Sequence, residues 1–503
     1  MQRHVALITL SILLLSGCKM LDKSQNMDFK LQKIIVSSAS GERLAEQLLP
    51  EPANRPGENT SIIRIDPETR FQEILGFGGS FTQASAYILD KMSPQKRREI
   101  LESYFGQDGA WYSLTRTHIN SCDFSTHSYA YSEVPGDTAL EHFDIAPDLV
   151  ELIPLIQDAQ AVEKAQFKII ASPWTAPPWM KDNNAWFGGA LKPEYYFVWA
   201  RYFSLYLSAY QKQGIPIWGL TAINEPLGNG ANWESMHFTP ETMAEFIREH
   251  LGPQLTADGW DIPIMIYDQN RDHLREWADI ILGDTEAASF IWGTAVHWYS
   301  STVEWYPQEL NHVHDTFPDK HLLHTEGCID SEVPVWQDDS WYWRKEATDW
   351  GFQWAPEEDK ALHPEYVPVY RYARDIIGGL NSWLRGWVDW NLVLDTQGGP
   401  NHVRNWCIAP IIVNPETDEV YYTPLYDIMV QFSRYIRPGA HRIGVDNPSE
   451  ALMVTACRNP DGSVVVEILN QGVEPVSYGI ALGSQISTLD ISGRALQTII
   501  YTP

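Results

Sequence analysis

Between residues 70 and 430 the chain repeats one pattern: a short apolar, β-prone run, a polar or turn-rich stretch, then a segment with helical periodicity. Eight such runs stand out, at residues 74–82, 113–122, 167–175, 217–226, 263–270, 293–300, 321–327 and 386–393. Helical spacing lies between them, as at 240–251, where Thr239 offers a good N-cap. Eight strands alternating with helices predict an α/β fold, a (β/α)8 TIM barrel over residues 71–430. A doubly wound open sheet fits less well. Gly76-Phe77-Gly78-Gly79 fails as a phosphate-binding turn, because Phe81 stands where the third glycine belongs.

The flanks read differently. Residues 28–70 and 431–503 carry short alternating strands broken by turns, such as Asn459-Pro460-Asp461-Gly462. Two β-rich ends around one barrel predict that both pack together as a single β-sandwich beside it. The stretch 328–365 interrupts the barrel pattern with Trp336, Trp341, Trp343, Trp350 and Trp354 among acidic residues. It follows the seventh strand, so it would overhang the catalytic face. It reads equally as a substrate-shaping lid or as a loop packed on itself.

The first residues read as a targeting segment. Arg3 and His4 precede an apolar run at 5–15 that is too short to span a bilayer comfortably. The run ends in Leu15-Ser16-Gly17-Cys18, which resembles the lipobox of bacterial lipoproteins. Residues 1–18 are then a signal peptide with Cys18 as the lipidated N-terminus, and 19–27 a polar tether. The mature protein is expected to be exported and held to a bacterial membrane by that anchor alone, at the outer membrane or cell surface or facing the periplasm.

Charge and aromatic content narrow the partners. With 36 basic against 65 acidic residues the net charge is −29, which argues against nucleic acid. The 21 Trp and 23 Tyr provide flat faces suited to sugar rings, although many must fill the core. Cys122, Cys328, Cys407 and Cys457 contain no CxxC pair, so buried thiols are expected rather than a metal site.

In a TIM barrel the site is assembled at the C-terminal ends of the strands. The fourth run ends Asn224-Glu225-Pro226 and the seventh ends Thr325-Glu326-Gly327-Cys328. Cleaving a glycosidic bond needs one carboxylic acid to protonate the leaving oxygen and one carboxylate to meet the oxocarbenium-like centre. Strands four and seven face each other across the barrel, which points to a retaining pair with Glu225 as acid/base and Glu326 as nucleophile. Glu326 must be ionised; Arg116, at the end of strand two, and Tyr299 are placed to support it. A metal-dependent hydrolase using His312, His314, His321 and His324 is disfavoured, since their spacing matches no zinc pattern. A serine hydrolase lacks its GxSxG elbow. No cofactor and no metal are expected. A non-catalytic carbohydrate-binding lipoprotein remains the rival from another class.

The motifs extend further: Gly76-Phe-Gly-Gly-Ser-Phe-Thr82, Arg116-Thr-His-Ile-Asn-Ser-Cys-Asp-Phe-Ser125, Ala171-Ser-Pro-Trp-Thr-Ala-Pro-Pro-Trp179, His297-Trp-Tyr299, Trp387-Val-Asp-Trp-Asn-Leu392 and Gly398-Gly-Pro-Asn-His-Val-Arg-Asn405. Over residues 28–503 they resemble glycoside hydrolase family 30, in its glucosylceramidase branch. The resemblance implies that Asp123, Trp174, Asn224, Trp390 and Asn405 bind the sugar. It also implies that Tyr299 approaches the nucleophile, that Cys328 lines a subsite, and that Arg116 and His297 support Glu326. A β-glucosyl unit is the implied glycone. The partner beyond it is left open between ceramide, as in glucosylceramide, another glucose of a β-1,6-glucan, and a small aglycone. Exo and endo action are equally open. Two departures fall on the aglycone side: His402 replaces the usual aromatic residue, and the 328–365 loop is longer and richer in Trp.

Overall fold

A computed structural model describes residues 29–50, 60–228, 232–330, 336–344, 357 and 367–503. The leader, Cys18 and the tether lie outside these residues. Eight parallel strands close into a barrel: Gly76–Phe81, Leu114–Ile119, Lys168–Pro173, Gly219–Thr221, Ile264–Asn270, Ile291–His297, His321–Glu326 and Leu384–Asn391. Each pairs with its successor and the eighth pairs with the first. Each of the eight apolar runs overlaps one barrel strand, the sixth and eighth strands starting two residues earlier than their runs, so the expected fold class holds.

Side-chain alternation explains how the barrel carries a site. Leu114, Ile170, Met265, Ala295, Leu323 and Val388 fill the interior with Leu75 as a dry plug. Residues two apart share a face of a strand. The next inward positions on five of these strands are therefore Arg116, Ser172, His297, Thr325 and Trp390. A polar layer sits directly above the plug, toward the C-terminal ends. The glycines of the first strand serve this packing: a Cβ on Gly78 would lie 1.7 Å from the Leu114 carbonyl oxygen.

The helix predicted at 240–251 starts as expected and ends differently. Thr239 and Thr242 form a capping box ahead of Pro240–Phe246. The chain then widens into a π-helical turn, Ile247–Leu251, before a last helical segment, Gly252–Ala257. Pro253 is the physical reason. It lacks an N–H and its ring would clash with the carbonyl four residues earlier, which the wider turn avoids.

The two chain ends interleave in one nine-stranded sheet. Lys30–Ser38 pairs with Ala495–Thr502, and Ser61–Glu73 lies between His441–Asp446 and Val476–Leu482. Phe29, Ile34 and Val36 from one end of the sheet share a core with Tyr478, Ile480 and Ile491 from the other. The open sheet therefore folds over onto one shared core as a sandwich. Its 459–462 hairpin turn uses Gly462 at φ +88°, a conformation that costs glycine little.

Of the Trp-rich stretch, Trp341 and Trp343 are buried in the barrel core, and Trp336 lies edge-on to Tyr421. These three rings pack onto the body of the protein, Trp336 half-buried; Trp350 and Trp354 lie outside the described residues. Cys122, Cys328, Cys407 and Cys457 are all buried, and no disulfide occurs among the described residues. No helix among those residues is long and apolar enough to cross a membrane.

Candidate active site

Arg116 organises the floor of the site. It sits within the second strand rather than at its end, fully buried, and its long side chain reaches upward. Its Nε donates to Ser172 Oγ at 3.0 Å. Its Nη2 donates to Asn224 Oδ1 and to Asp268 Oδ2, both at 2.7 Å, while its Nη1 is ion-paired with Glu326. The guanidinium also lies over the Trp174 ring, 4.7 Å from its centre.

Glu326 ends the seventh strand and is 6% exposed. Its second oxygen accepts from Tyr299 Oη at 3.0 Å. Glu225 lies past the short fourth strand with φ +48°, and its backbone N–H donates to the Asp268 carbonyl at 2.9 Å. Its Oε1 stands 3.1 Å from His297 Nδ1. One oxygen from each glutamate and a ring nitrogen of His297 all lie within 4.8 Å of one another. Inverting carboxyl pairs stand about 6.5–9.5 Å apart to admit a water, whereas retaining pairs stand about 5–5.5 Å apart. The approach of the two glutamates here fits the retaining spacing.

Asp268 is the member of the site that sequence reasoning missed. From Met265, regular alternation would turn Tyr267 inward and Asp268 outward. Instead the fifth strand slips register between Tyr267 and Gln269, and Tyr267 and Asp268 both take positive φ. Tyr267 swings out to pack near Trp277, and Asp268 enters the barrel. There it accepts from Arg116, from His297 Nε2 at 2.9 Å, from Thr325 Oγ1 at 2.6 Å and from Thr221 Oγ1 at 2.7 Å. The polar Asp268-Gln269-Asn270 tip of an otherwise apolar strand was the only signal of it.

The buried charges set one another. Burial alone would push the Asp268 carboxyl up, but Arg116 and then His297 outweigh it and hold the group well below the usual carboxylate range. Burial likewise disfavours the His297 cation, yet Glu326 and Asp268 hold its imidazole up at about 9. Burial pushes the Glu326 carboxyl above its ordinary value, opposed by His297 and Arg116. Folded His297 thus binds its proton more tightly than an unfolded histidine near 6.5. The stability it contributes, about 3 kcal/mol, is fully present below pH 6.5 and lost as pH rises through about 9. The melting temperature should fall across that window, and Asp268→Asn should make the fall shallower. An equal slope in the variant would remove the His297–Asp268 pair as its source.

Around this core lies a cradle for a ring. Trp174 and Trp390 stack at 5.1 Å, with Phe124 edge-on to Trp390. They cluster with Cys122, Cys328, Cys407 and Tyr299. Cys328 Sγ stands 3.5 Å from Tyr299 Oη and 3.2 Å from Cys407 Sγ. Asp123 is buried beside them and accepts from Asn405 Nδ2 at 2.9 Å. Burial, then the charge of Glu326, pushes the Asp123 carboxyl up to about 8. All the site residues expected from the sequence converge here except Cys18, which lies outside the described residues. The four histidines at 312, 314, 321 and 324 do not converge. His312 pairs with Asp279, His314 stacks on Trp383, His321 lies against Trp292, and His324 meets Arg271.

Comparison with known proteins agrees with this arrangement. Residues 74–350 and 357–436 match the glycosyl hydrolase family 30 TIM-barrel domain, and 439–499 match the family 30 beta sandwich domain. The chain is 35% identical to the lysosomal acid glucosylceramidase of Mus musculus over 455 residues, 88% of this chain and 84% of that protein. The crystal structure of SrfJ from Salmonella typhimurium superposes with TM-score 0.84 at 30% identity, covering 94% of this chain and 99% of that one. The endo-β1,6-glucanase BT3312 superposes with TM-score 0.80 at 25% identity, covering 94% and 99%. A barrel with two opposed glutamates, a sandwich built from both chain ends and family matches across both domains lead to one conclusion: the chain belongs to glycoside hydrolase family 30 and is a glycosidase.

Proposed function

We propose that the protein is a retaining β-glycoside hydrolase of the β-glucosidase type, with Glu225 as acid/base and Glu326 as nucleophile. The observation that carries this reading is the approach of the two carboxyl groups to within 4.8 Å, with Arg116 paired to one and His297 against the other. Charge balance supports the assignment of roles. Arg116 and His297 carry two positive charges against Asp268 and Glu326, so the buried set is neutral when Glu225 holds a proton.

In the first step Glu326 attacks the anomeric carbon while Glu225 gives its proton to the leaving oxygen. The negative charge of Glu326 is consumed in the bond it forms. Glu225, ionised once it has given up its proton, then acts as base and takes one proton from the incoming water. The water opens the glycosyl–enzyme from the face the aglycone left, so configuration is retained. Tyr299 and Arg116 receive the Glu326 carboxylate when it departs. Trp174 and Trp390 form the platform under the sugar ring, and Asp123, Asn224 and Asn405 take its hydroxyls.

The glycone is a β-glucosyl unit. Relatives named for glucosylceramide and for β-1,6-glucan both support such a unit and differ in what lies beyond it. Products from the two substrates decide between them. Glucose and ceramide from glucosylceramide alone would make the protein a glucosylceramidase acting in sphingolipid breakdown. Short oligosaccharides from β-1,6-glucan alone would make it an endo-glucanase. The leader supports export and lipid attachment at Cys18, and a Cys18→Ala chain that stayed membrane-bound would refute that attachment.

A further inference from the structure

His402 lies on the loop after the eighth strand, and its surroundings give it a definite task. Its Nδ1 lies 2.9 Å from the Ser125 carbonyl oxygen and its Nε2 lies 3.1 Å from Glu234 Oε1. A carbonyl and a carboxylate only accept hydrogen bonds. Ser128 Oγ also lies 3.4 Å from Nε2, but the ring donates to both the carbonyl and the carboxylate only as the imidazolium cation. Glu234 is 1% exposed, and the same Oε1 accepts from Ser121 Oγ at 2.9 Å. Its other oxygen meets no hydrogen-bond donor among the described residues. A buried carboxylate so placed depends on its cation.

Three loops meet at this pair. Ser121 and Ser125 flank Asp123 on the loop after the second strand, Glu234 belongs to the loop after the fourth, and His402 to the loop after the eighth. That last loop is braced internally by Asn401, whose Oδ1 accepts from the Val403 and Asn405 backbone N–H groups at 3.1 and 3.0 Å. Three residues beyond His402 it presents Asn405 to Asp123 at 2.9 Å. The loop bearing Asn405 is thus held to the loop bearing Asp123 through His402 and, one bond further, through Glu234.

We propose that the His402–Glu234 ion pair is a clasp that holds Asn405 and Asp123 in register for the glycone, making His402 and Glu234 positioning residues for substrate binding. The inference rests on the β-glucosidase reading above. It places the effect on KM and leaves kcat to Glu225 and Glu326. The clasp is also sensitive to pH, because a neutral His402 cannot serve both acceptors. Burial disfavours its cation, but Glu234 and the neighbouring Asp123 raise it above an ordinary histidine. Burial is likewise outweighed at Glu234, which His402 holds below the usual carboxylate range. The other charged or titratable groups that face Glu234 are Asp123, Lys181, His118 and Cys122. KM should therefore be lowest while His402 is protonated and should rise once it loses its proton.

The test uses wild type, His402→Ala and Glu234→Gln with an aryl β-glucoside across pH 5 to 9. In His402→Ala, KM should rise about tenfold at low pH, with kcat within about twofold of wild type. Glu234→Gln is the discriminating variant. A glutamine amide donates to a neutral histidine, so the clasp survives without charge and KM should keep only the pH dependence that Asp123, at about 8, gives it. A KM in His402→Ala matching wild type, or a pH dependence of KM in Glu234→Gln matching wild type, overturns the proposal. So does a loss confined to kcat. If His402→Ala fails to fold, Glu234→Gln and the wild-type profile still decide. Should wild type not turn over the glucoside, the β-glucosidase reading fails by itself. The clasp is then judged on glucose binding, followed by tryptophan fluorescence, in the same variants with the same outcomes expected.

Discussion

Replacing Glu326 by alanine is expected to lower kcat on an aryl β-glucoside by at least about 10,000-fold, because the step that forms the glycosyl–enzyme loses its reacting atom. Azide should restore part of the rate by entering the vacated space. It would attack from the face opposite the leaving group and give the α-glucosyl azide. Glu225→Ala should behave differently. With a leaving group that needs no proton, Glu326 still forms the glycosyl–enzyme, and azide then replaces the unactivated water. Attack on that intermediate comes from the other face and gives the β-glucosyl azide. Anomeric couplings in proton NMR separate the two products. Exchanged anomers would reverse the roles of the glutamates. Undiminished turnover in both variants would remove both from the chemistry.

The second large effect is expected at Arg116. Its guanidinium is fully buried between Glu326 and Asp268, with Asn224 and Ser172 on its remaining donors. Arg116→Met keeps much of the volume but leaves two buried carboxylates without their cation. Removing one partner of such a pair costs about 3–5 kcal/mol of stability, which chemical denaturation measures. Activity should change in a particular sense. Arg116 favours the ionised form of Glu326, so its loss raises the pH at which the nucleophile becomes available. The acidic limb of kcat/KM should move to higher pH, and Arg116→Lys should move it less, because the charge remains while the fork is lost. An acidic limb unmoved in Arg116→Met would show that Arg116 does not tune the nucleophile.

These effects depend on features that were unequally visible beforehand. The two glutamates could be read directly, because barrel topology puts the tips of strands four and seven across from each other whatever the details of packing. Tyr299 and Trp390 were legible for the same reason, each lying at or just past a strand end. Arg116 was recognised but placed one turn of the pleat too high. Its reach, rather than its position in the strand, brings it to Glu326. Asp268 was invisible because its inward direction comes from a local bulge, and a bulge changes which residues face inward without changing which residues are present. The His402–Glu234 pair joins residues 168 positions apart on two loops, and nothing periodic connects them.

The sequence by itself determined the barrel, the sandwich made from both chain ends and the pair of opposed glutamates. Each of these follows from a repeating pattern of apolar and polar positions, and burial acts on every repeat in the same way. Tertiary structure decided how the charge network that holds those glutamates is connected, and it alone supplied Asp268. A buried ion pair is set by distances of about 3 Å between side chains from different strands and loops, where one slip of register exchanges an inward for an outward residue. Asp268 faces Arg116 and His297 because the fifth strand slips once; without that slip Tyr267 would fill the place and the two cations would keep only one counter-charge, Glu326.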